Sequence, residues 1–284
     1  MKKNYGPLLA APGLLLMVGV LIIPIGFSIY CSVYKCDYLQ FTEMVGLGNY
    51  IRALSDPSIR ADFGRTFYIS FVSLAISMGL GLALALWIHS TKNFLSYILQ
   101  MIGLIPWVTS MTVAALLWKW LLDYDLGLVN YIFSLLGLQR QTILSNVHTA
   151  IYGVIFVISW RTVGYAMVII LAGLKTIPVE LEQAAAVDGC GGFQLLRYIR
   201  LPMLKTQLLI SSITLTMSNF NNLVVPDSLT GGGPGTASSV ITITMYRQGV
   251  SYARFGYASA IALLILLINL IMVVVYVKAV RYDV

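Results

Sequence analysis

Residues Lys175 to Lys205 read KTIPVELEQAAAVDGCGGFQLLRYIRLPMLK. Pro178 can open a helix, because its missing N–H would be unpaired in the first turn, and Glu180 and Glu182 stand where the helix dipole favours anions. Ala184, Ala185 and Ala186 extend that helix with almost no side-chain bulk, so another surface can approach it closely. Asp188-Gly189 predicts a stop, since glycine accepts the left-handed conformation that ends helices. Phe193, Leu196 and Ile199 then recur at three-residue steps as an apolar stripe, until Leu201-Pro202 closes it. The expectation is a bent pair of short helices outside the hydrocarbon, and two readings stay open on these residues: an amphipathic linker lying on lipid, or a knuckle offered to a partner protein.

What surrounds this segment is far less polar. The 284 residues are 58% apolar and 10% charged, against roughly 45–50% and 25% in soluble domains, and the mean hydropathy is +0.85. A water-soluble globular protein is excluded. Uncharged stretches run from Asn4 to Tyr34, Thr66 to Thr91, Asn93 to Trp118, Thr206 to Pro226 and Phe255 to Val277, and His148 to Leu174 is interrupted only by Arg161. Each can cross a hydrocarbon layer that needs about 20 helical residues. The predicted fold is all-α, a polytopic membrane protein with six transmembrane helices. Residues 1–65 are read as the first transmembrane helix with an outer amphipathic segment, and 66–284 as a core of five helices carrying the loop 175–205.

Met1-Lys2-Lys3 before an apolar run imitates a secretory signal, but the run exceeds a signal core and is read as a retained span. Lys and Arg divide almost evenly between alternate segments; one set is diluted over longer loops, which favours both termini in the cytoplasm. The basic balance has no cluster with interleaved aromatics, so nucleic acid is not expected as a partner. Cys31, Cys36 and Cys190 have neither metal-ligand nor disulfide spacing, and no metal site or catalytic constellation is expected.

Lys35 to Arg65 and Lys119 to Val147 read as outer segments with short interfacial helices. Pro12, Pro24 and Pro106 should bend their spans, while Gly79, Gly81, Ala83 and Ala85 permit close helix packing. The run TGGGPG, Thr230 to Gly235, lacks the Gly-Lys-Ser/Thr of a phosphate loop and reads as a flexible outer turn where a soluble protein could dock. His89 and His148 fall at helix ends, with an interfacial role.

The fifth span, TQLLISSITLTMSNFNN, is polar for a membrane segment. Asn219 and Asn222 at i, i+3 are expected near one helix face, where two amides suit either sugar hydroxyls or a neighbouring helix. Arg161, inside the fourth span, should face protein or water. An ion contact, with Asp227 as a partner to consider, stands beside direct solute contact.

The loop resembles the cytoplasmic signature of ATP-binding-cassette (ABC) importer permeases, in which Glu-Ala-Ala is followed by Gly and then Ile-x-Leu-Pro. Those elements match Gln183-Ala184-Ala185, Gly189 and Ile199-x-Leu201-Pro202, with Asp188 matching the carbohydrate branch. VGLGNYIRALSDP, PWVTSMTVAALLWKWL, GLVNYIFSLLGL, TGGGPGTASS and FGYASAIALL extend the resemblance in order along the chain. It is identified as a member of the maltose, glycerol-phosphate and lactose permease group, with the type I ABC importer permease fold.

That resemblance implies a coupling helix docking in a cytoplasmic ATPase, a second homologous permease, two ATPase chains and an extracytoplasmic sugar-binding protein. It implies ATP and Mg used by the ATPase partner and no cofactor on this chain. It also places Trp107, Tyr165, Asn219 and Asn222 at sugar-contact positions, where aromatic faces and amides suit a pyranose; Met111 replaces a small polar residue, which points to another sugar or pose. Gln183 stands where the family has Glu, and Glu182 is turned about 100 degrees away from it. Docking is therefore expected to rest on shape and apolar burial around Ala184, Ala185 and Phe193. An ion-gradient carrier is the alternative, requiring intramembrane carboxylates and an inverted repeat; a membrane scaffold with no polar site is a third class.

Overall fold

A computed structural model describes residues 6–91 and 94–279. Lys2, Lys3, Lys92 and Arg281, which enter the expected orientation of the termini, lie outside the described residues. The chain gathers into two compact units, Met1–Ala61 with Thr244–Ile271 and Asp62–Ile243 with Met272–Val284.

In the first unit, helices Gly6–Met17 and Ile23–Ser32 are joined by a π turn, Val18–Ile22. The Ile23 N–H reaches back to Val18, and this wide turn lies just before Pro24, whose ring and missing donor a regular helix would not accept. Only 6% of the Ala11–Ser32 window is buried. An antiparallel hairpin, Tyr34–Asp37 with Gln40–Met44, follows.

The hairpin corrects the expectation of interfacial helices alone in this stretch and is the one departure from all-helical structure among the described residues. Tyr38 and Leu39 both take positive φ at its tip, as a two-residue hairpin turn demands, without the Asn-Gly pair that would have announced it. The Asn49 amide donates to the carbonyls of Ser32 and Tyr34 at 2.9 and 3.0 Å, tying helix Gly48–Ser55 to the strand. The Tyr38 N–H donates to Ala253 at 2.8 Å, which fastens the hairpin beside the start of the last helix, Phe255–Ala279.

The helix Pro57–Ser90 begins nine residues before the uncharged run, because Pro57 suits a first turn and the Asp56 carboxylate accepts the Ser58 N–H at 2.8 Å. Within the second unit its buried face combines small residues, Thr66, Ser70, Ser73, Ser77, Gly81 and Ala85, with Ile69 and Ile88. It lies against Ala150–Leu174, the most enclosed span, 61% buried over its window. Ser77 and Thr162 hydroxyls meet at 2.7 Å, and a Cβ on Gly81 would stand 2.6 Å from that of Ala166. Gly79 and Ala83, expected to pack alike, face outward.

Two predicted spans are broken. Phe94–Val108 and Met111–Leu121 meet at 95°, and Lys205–Phe220 meets Val224–Thr230 at 45°. Four described helices are long and apolar enough to cross a membrane, and six spans result if each bent pair counts as one. Between 122 and 149 the one helix is Leu128–Leu135. There Asn130, 1% exposed, donates to Asp123 and Gln141 carbonyls and accepts the Gln141 N–H.

The glycine turn is not the flexible loop expected. Gly231, Gly232 and Gly235 have positive φ, the Ser238 hydroxyl donates to the Gly233 carbonyl at 2.6 Å and meets Thr230 Oγ1 at 2.7 Å. Ser238 and Ser239 are buried.

Candidate functional site

The loop 175–205 forms the bent pair of helices. Val179–Val187 starts after Pro178 and ends in two nested bonds, Gly189 N–H to Ala186 and Cys190 N–H to Ala185, with Gly189 at φ 78°. This is the paired C-terminal bonding that requires a left-handed residue. The second arm runs through Gly192–Leu195, a π turn Leu196–Arg200 and Leu201–Met203. It does not stop at Leu201-Pro202 as expected: the Leu201 N–H reaches Leu196, and the widened turn carries the helix past Pro202, as beside Pro24.

One contact braces the two arms. Arg200 Nε and Nη2 donate to the two Glu182 carboxylate oxygens at 2.8 and 3.1 Å. The guanidinium's hydrogen bonds hold the Glu182 carboxyl below its ordinary 4.5. Glu182 is thus engaged within the loop instead of standing free as a substitute for the acid missing at Gln183. Gln183, Ala184, Asp188 and Gly189 are exposed, and Val187 and Phe193 are 88% and 78% exposed. Ala185 is only 5% exposed and faces the chain's own interior, while Val187 and Phe193 are the most exposed apolar side chains of the loop, with Val179, Leu181 and Tyr198 also open. Ile199 and Leu201 are half-buried and Pro202 is exposed.

Three of the predicted membrane residues form a second cluster at the 95° break. The Trp107 and Tyr165 rings lie 4.7 Å apart, and the Arg161 guanidinium sits 5.0 Å from the Trp107 ring. Arg161 Nε and Nη2 face the carbonyls of Thr109 and Trp107, both at 3.4 Å. Those carbonyls terminate a helix whose last turn contains Pro106, so the cation meets the negative end of a dipole and carbonyls left without partners. Among the described residues no ion pair joins Arg161 to Asp227.

Asn219 and Asn222 do not share one helix face. The Lys205–Phe220 helix ends between them, and Asn222 Oδ1 accepts the Val225 N–H at 3.0 Å, starting the next short helix. Asn219 remains inside, 3% exposed, and neither its amide nitrogen nor its amide oxygen has a hydrogen-bond partner. An unpaired buried amide costs about 1–3 kcal/mol. Met111 is partly buried against the Val154–Ile158 side of the fourth span. No hydrogen bond or ring contact joins the Trp107 cluster to either Asn among the described residues.

Sequence reading missed the Glu182–Arg200 brace, whose signal was a pair of opposite charges flanking the Gly189 turn. It missed Val187 for want of any periodic partner. It also missed Arg65, which pairs with Asp62 and donates to the Ser239 carbonyl at 2.8 Å.

The family model of binding-protein-dependent transport system inner membrane components matches residues 65–281. The chain belongs to that family. The permease is 30% identical to the trehalose/maltose transport system permease protein MalF of Thermococcus litoralis, covering 99% of this chain and 95% of that one. It is 29% identical to the sulfoquinovosyl glycerol transport system permease protein SmoG of Agrobacterium fabrum, over 96% of this chain and 89% of that one. Its fold matches a bacterial ABC transporter involved in the import of the acidic polysaccharide alginate, with a TM-score of 0.87, 21% identity and coverage of 99% and 97%.

The permease is accordingly an inner-membrane transport component of an ABC importer and not a catalytic enzyme. The ion-gradient carrier reading gives way to it.

Proposed function

We propose that this permease passes a mono- or oligosaccharide across the cytoplasmic membrane by alternating access. In this reading it works with a second homologous permease, two cytoplasmic ATPase subunits and an extracytoplasmic sugar-binding protein. Both termini lie in the cytoplasm, and ATP and Mg are used by the ATPase alone. The relatives transport trehalose, maltose and sulfoquinovosyl glycerol by their names, which supports a carbohydrate.

The observation that carries the proposal is the Asn219 amide, enclosed with both ends unpaired beside a broken helix. An amide offers donors and an acceptor to a hydroxylated solute, and one buried without partners keeps that whole capacity unused for a solute to meet. Asn222, Trp107 and Tyr165 are assigned to the same solute path, with Arg161 holding the Trp107 end of the break. The exposed knuckle, Gln183, Ala184, Val187 and Phe193, would seat in the ATPase, and the Glu182–Arg200 brace would keep its two arms moving as one piece.

Uptake of tritiated sugars into proteoliposomes holding the complete importer tests this reading. Accumulation should require ATP and the binding protein and survive an uncoupler. Uptake that persists with an inactivated ATPase and collapses with the uncoupler overturns it.

A further inference from the structure

A site built from none of the residues assigned to the solute path lies in the first unit, at the exit of the first span and the entry of the last. Lys35, Asp37, Asn49, Arg52, Arg254 and Tyr257 line a cavity of about 500 Å³ there. The cavity carries three cations against one acid, and none of the three has an ion-pair partner within 4.0 Å among the described residues. Glu43 stands opposite Lys35 across the hairpin without pairing. The three cationic residues are exposed; the Arg52 guanidinium lies 4.7 Å from the Tyr257 ring and that of Arg254 lies 5.8 Å from the Tyr252 ring.

Tyr257 supplies an independent sign. It is 5% exposed, it lines this cavity, and its hydroxyl has no hydrogen-bond partner. Buried phenols ordinarily find one. The first candidate span ends at Ser32 and the last begins at Phe255, so Lys35 and Arg254 stand just outside hydrocarbon, at the depth of lipid headgroups. Arginine forks and a phenolic donor match phosphate oxygens.

We propose that this cavity holds the phosphate of an anionic phospholipid headgroup, with Arg52 and Arg254 as its principal ligands and the Tyr257 hydroxyl as a further donor. The cavity volume accommodates a phosphate with its glycerol substituent. A bound lipid there would tie the hairpin to the last helix from the membrane side, beside the backbone contacts of Tyr38 with Ala253 and of Asp37 with Arg254.

The test is native mass spectrometry of the complete importer released from nanodiscs containing phosphatidylglycerol or phosphatidylcholine. The wild type should retain phosphatidylglycerol about tenfold over phosphatidylcholine, as two charge-assisted contacts allow. Arg52→Gln with Arg254→Gln should abolish the preference. Tyr257→Phe, which keeps the ring under Arg52, should weaken it about threefold, and Arg52→Lys should keep part of it, which separates a lost ligand from a misfolded hairpin. Equal retention of phosphatidylglycerol in wild type and double variant overturns the proposal. So does displacement of the lipid by millimolar inorganic phosphate, which would make this a site for soluble anions. Loss of binding-protein affinity in the double variant with lipid retention unchanged also overturns it, reassigning the cations to protein docking.

Discussion

The loop 175–205 and the break after Phe220 treat their polar groups in opposite ways. In the loop every exposed turn is closed from within: nested bonds around Gly189, Gln194 Oε1 accepting the Gly191 N–H, and Arg200 holding Glu182. At the break, Asn219 is enclosed with both amide atoms unpaired while Asn222 is spent on starting the next helix. In the function proposed above, a part that transmits a push has to keep its shape, and here the turns and the Glu182–Arg200 pair are bonded inside the same segment. In that same proposal, a part that meets a passing solute leaves some polar groups unmet, and the orphaned Asn219 amide is such a group.

The largest effect falls on the break. Asn219→Leu should cut uptake at least tenfold while raising the thermal midpoint of the purified importer, because it removes an unpartnered amide that costs about 1–3 kcal/mol. A lowered midpoint with normal uptake would mean that the amide is a structural bond, and the contrast with the loop fails. Arg161→Gln comes next: it strips a cation from the carbonyls of Trp107 and Thr109 and should cost about 1 kcal/mol, the scale of an ordinary hydrogen bond, because both contacts are long. Abundance and uptake that both match the wild type would discard its holding role at the 95° break.

Two changes in the loop sharpen the other side. Gly189→Ala meets open space, so only backbone strain at φ 78° acts, about 1 kcal/mol. Uptake per ATP hydrolysed should fall with it, and a ratio equal to wild type would show that the turn's shape does not transmit motion. Glu182→Gln is the smallest in stability, below about 1 kcal/mol for a partly exposed pair, yet it should loosen the two arms and lower the same ratio about twofold. Because Arg200 depresses the folded carboxyl below 4.5, the pair's contribution is fully present above that ordinary value and disappears as pH falls through the depressed one. A stability profile of wild type against Glu182→Gln that diverges at neutral pH and converges in acid checks the sign.

Much of this layout was legible beforehand, for reasons that particular residues display. Pro178, Asp188 and Gly189 mark helix ends by local chemistry alone, and the loop's two arms start and turn where those residues stand. Pro106 announced a bend, but not that the third uncharged run would turn by 95°; between Val108 and Met111 only Thr109 and Ser110 interrupt the apolar residues and no charge appears, and Arg161, more than fifty positions away, caps the carbonyls of Trp107 and Thr109. The hairpin at Tyr34–Met44 was hidden because its turn residues, Tyr38 and Leu39, are poor formers of positive φ. It is held by Asn49 and Ala253 instead. The i, i+3 spacing of Asn219 and Asn222 misled for the same kind of reason: spacing defines a face only while the helix lasts.

By itself, the order of residues determined the medium and the sequence of spans, because crossing hydrocarbon requires long uncharged runs and only a helix closes its backbone bonds within one run. It also determined where the knuckle turns, since glycine conformation is a local matter. Only the tertiary structure decided which of the few polar groups meet. Glu182 finds Arg200, Arg161 finds two carbonyls and Asn219 finds nothing, because in a chain this apolar a hydrogen-bond partner is set by which helix faces are brought together, and spacing along one strand of sequence carries no record of that.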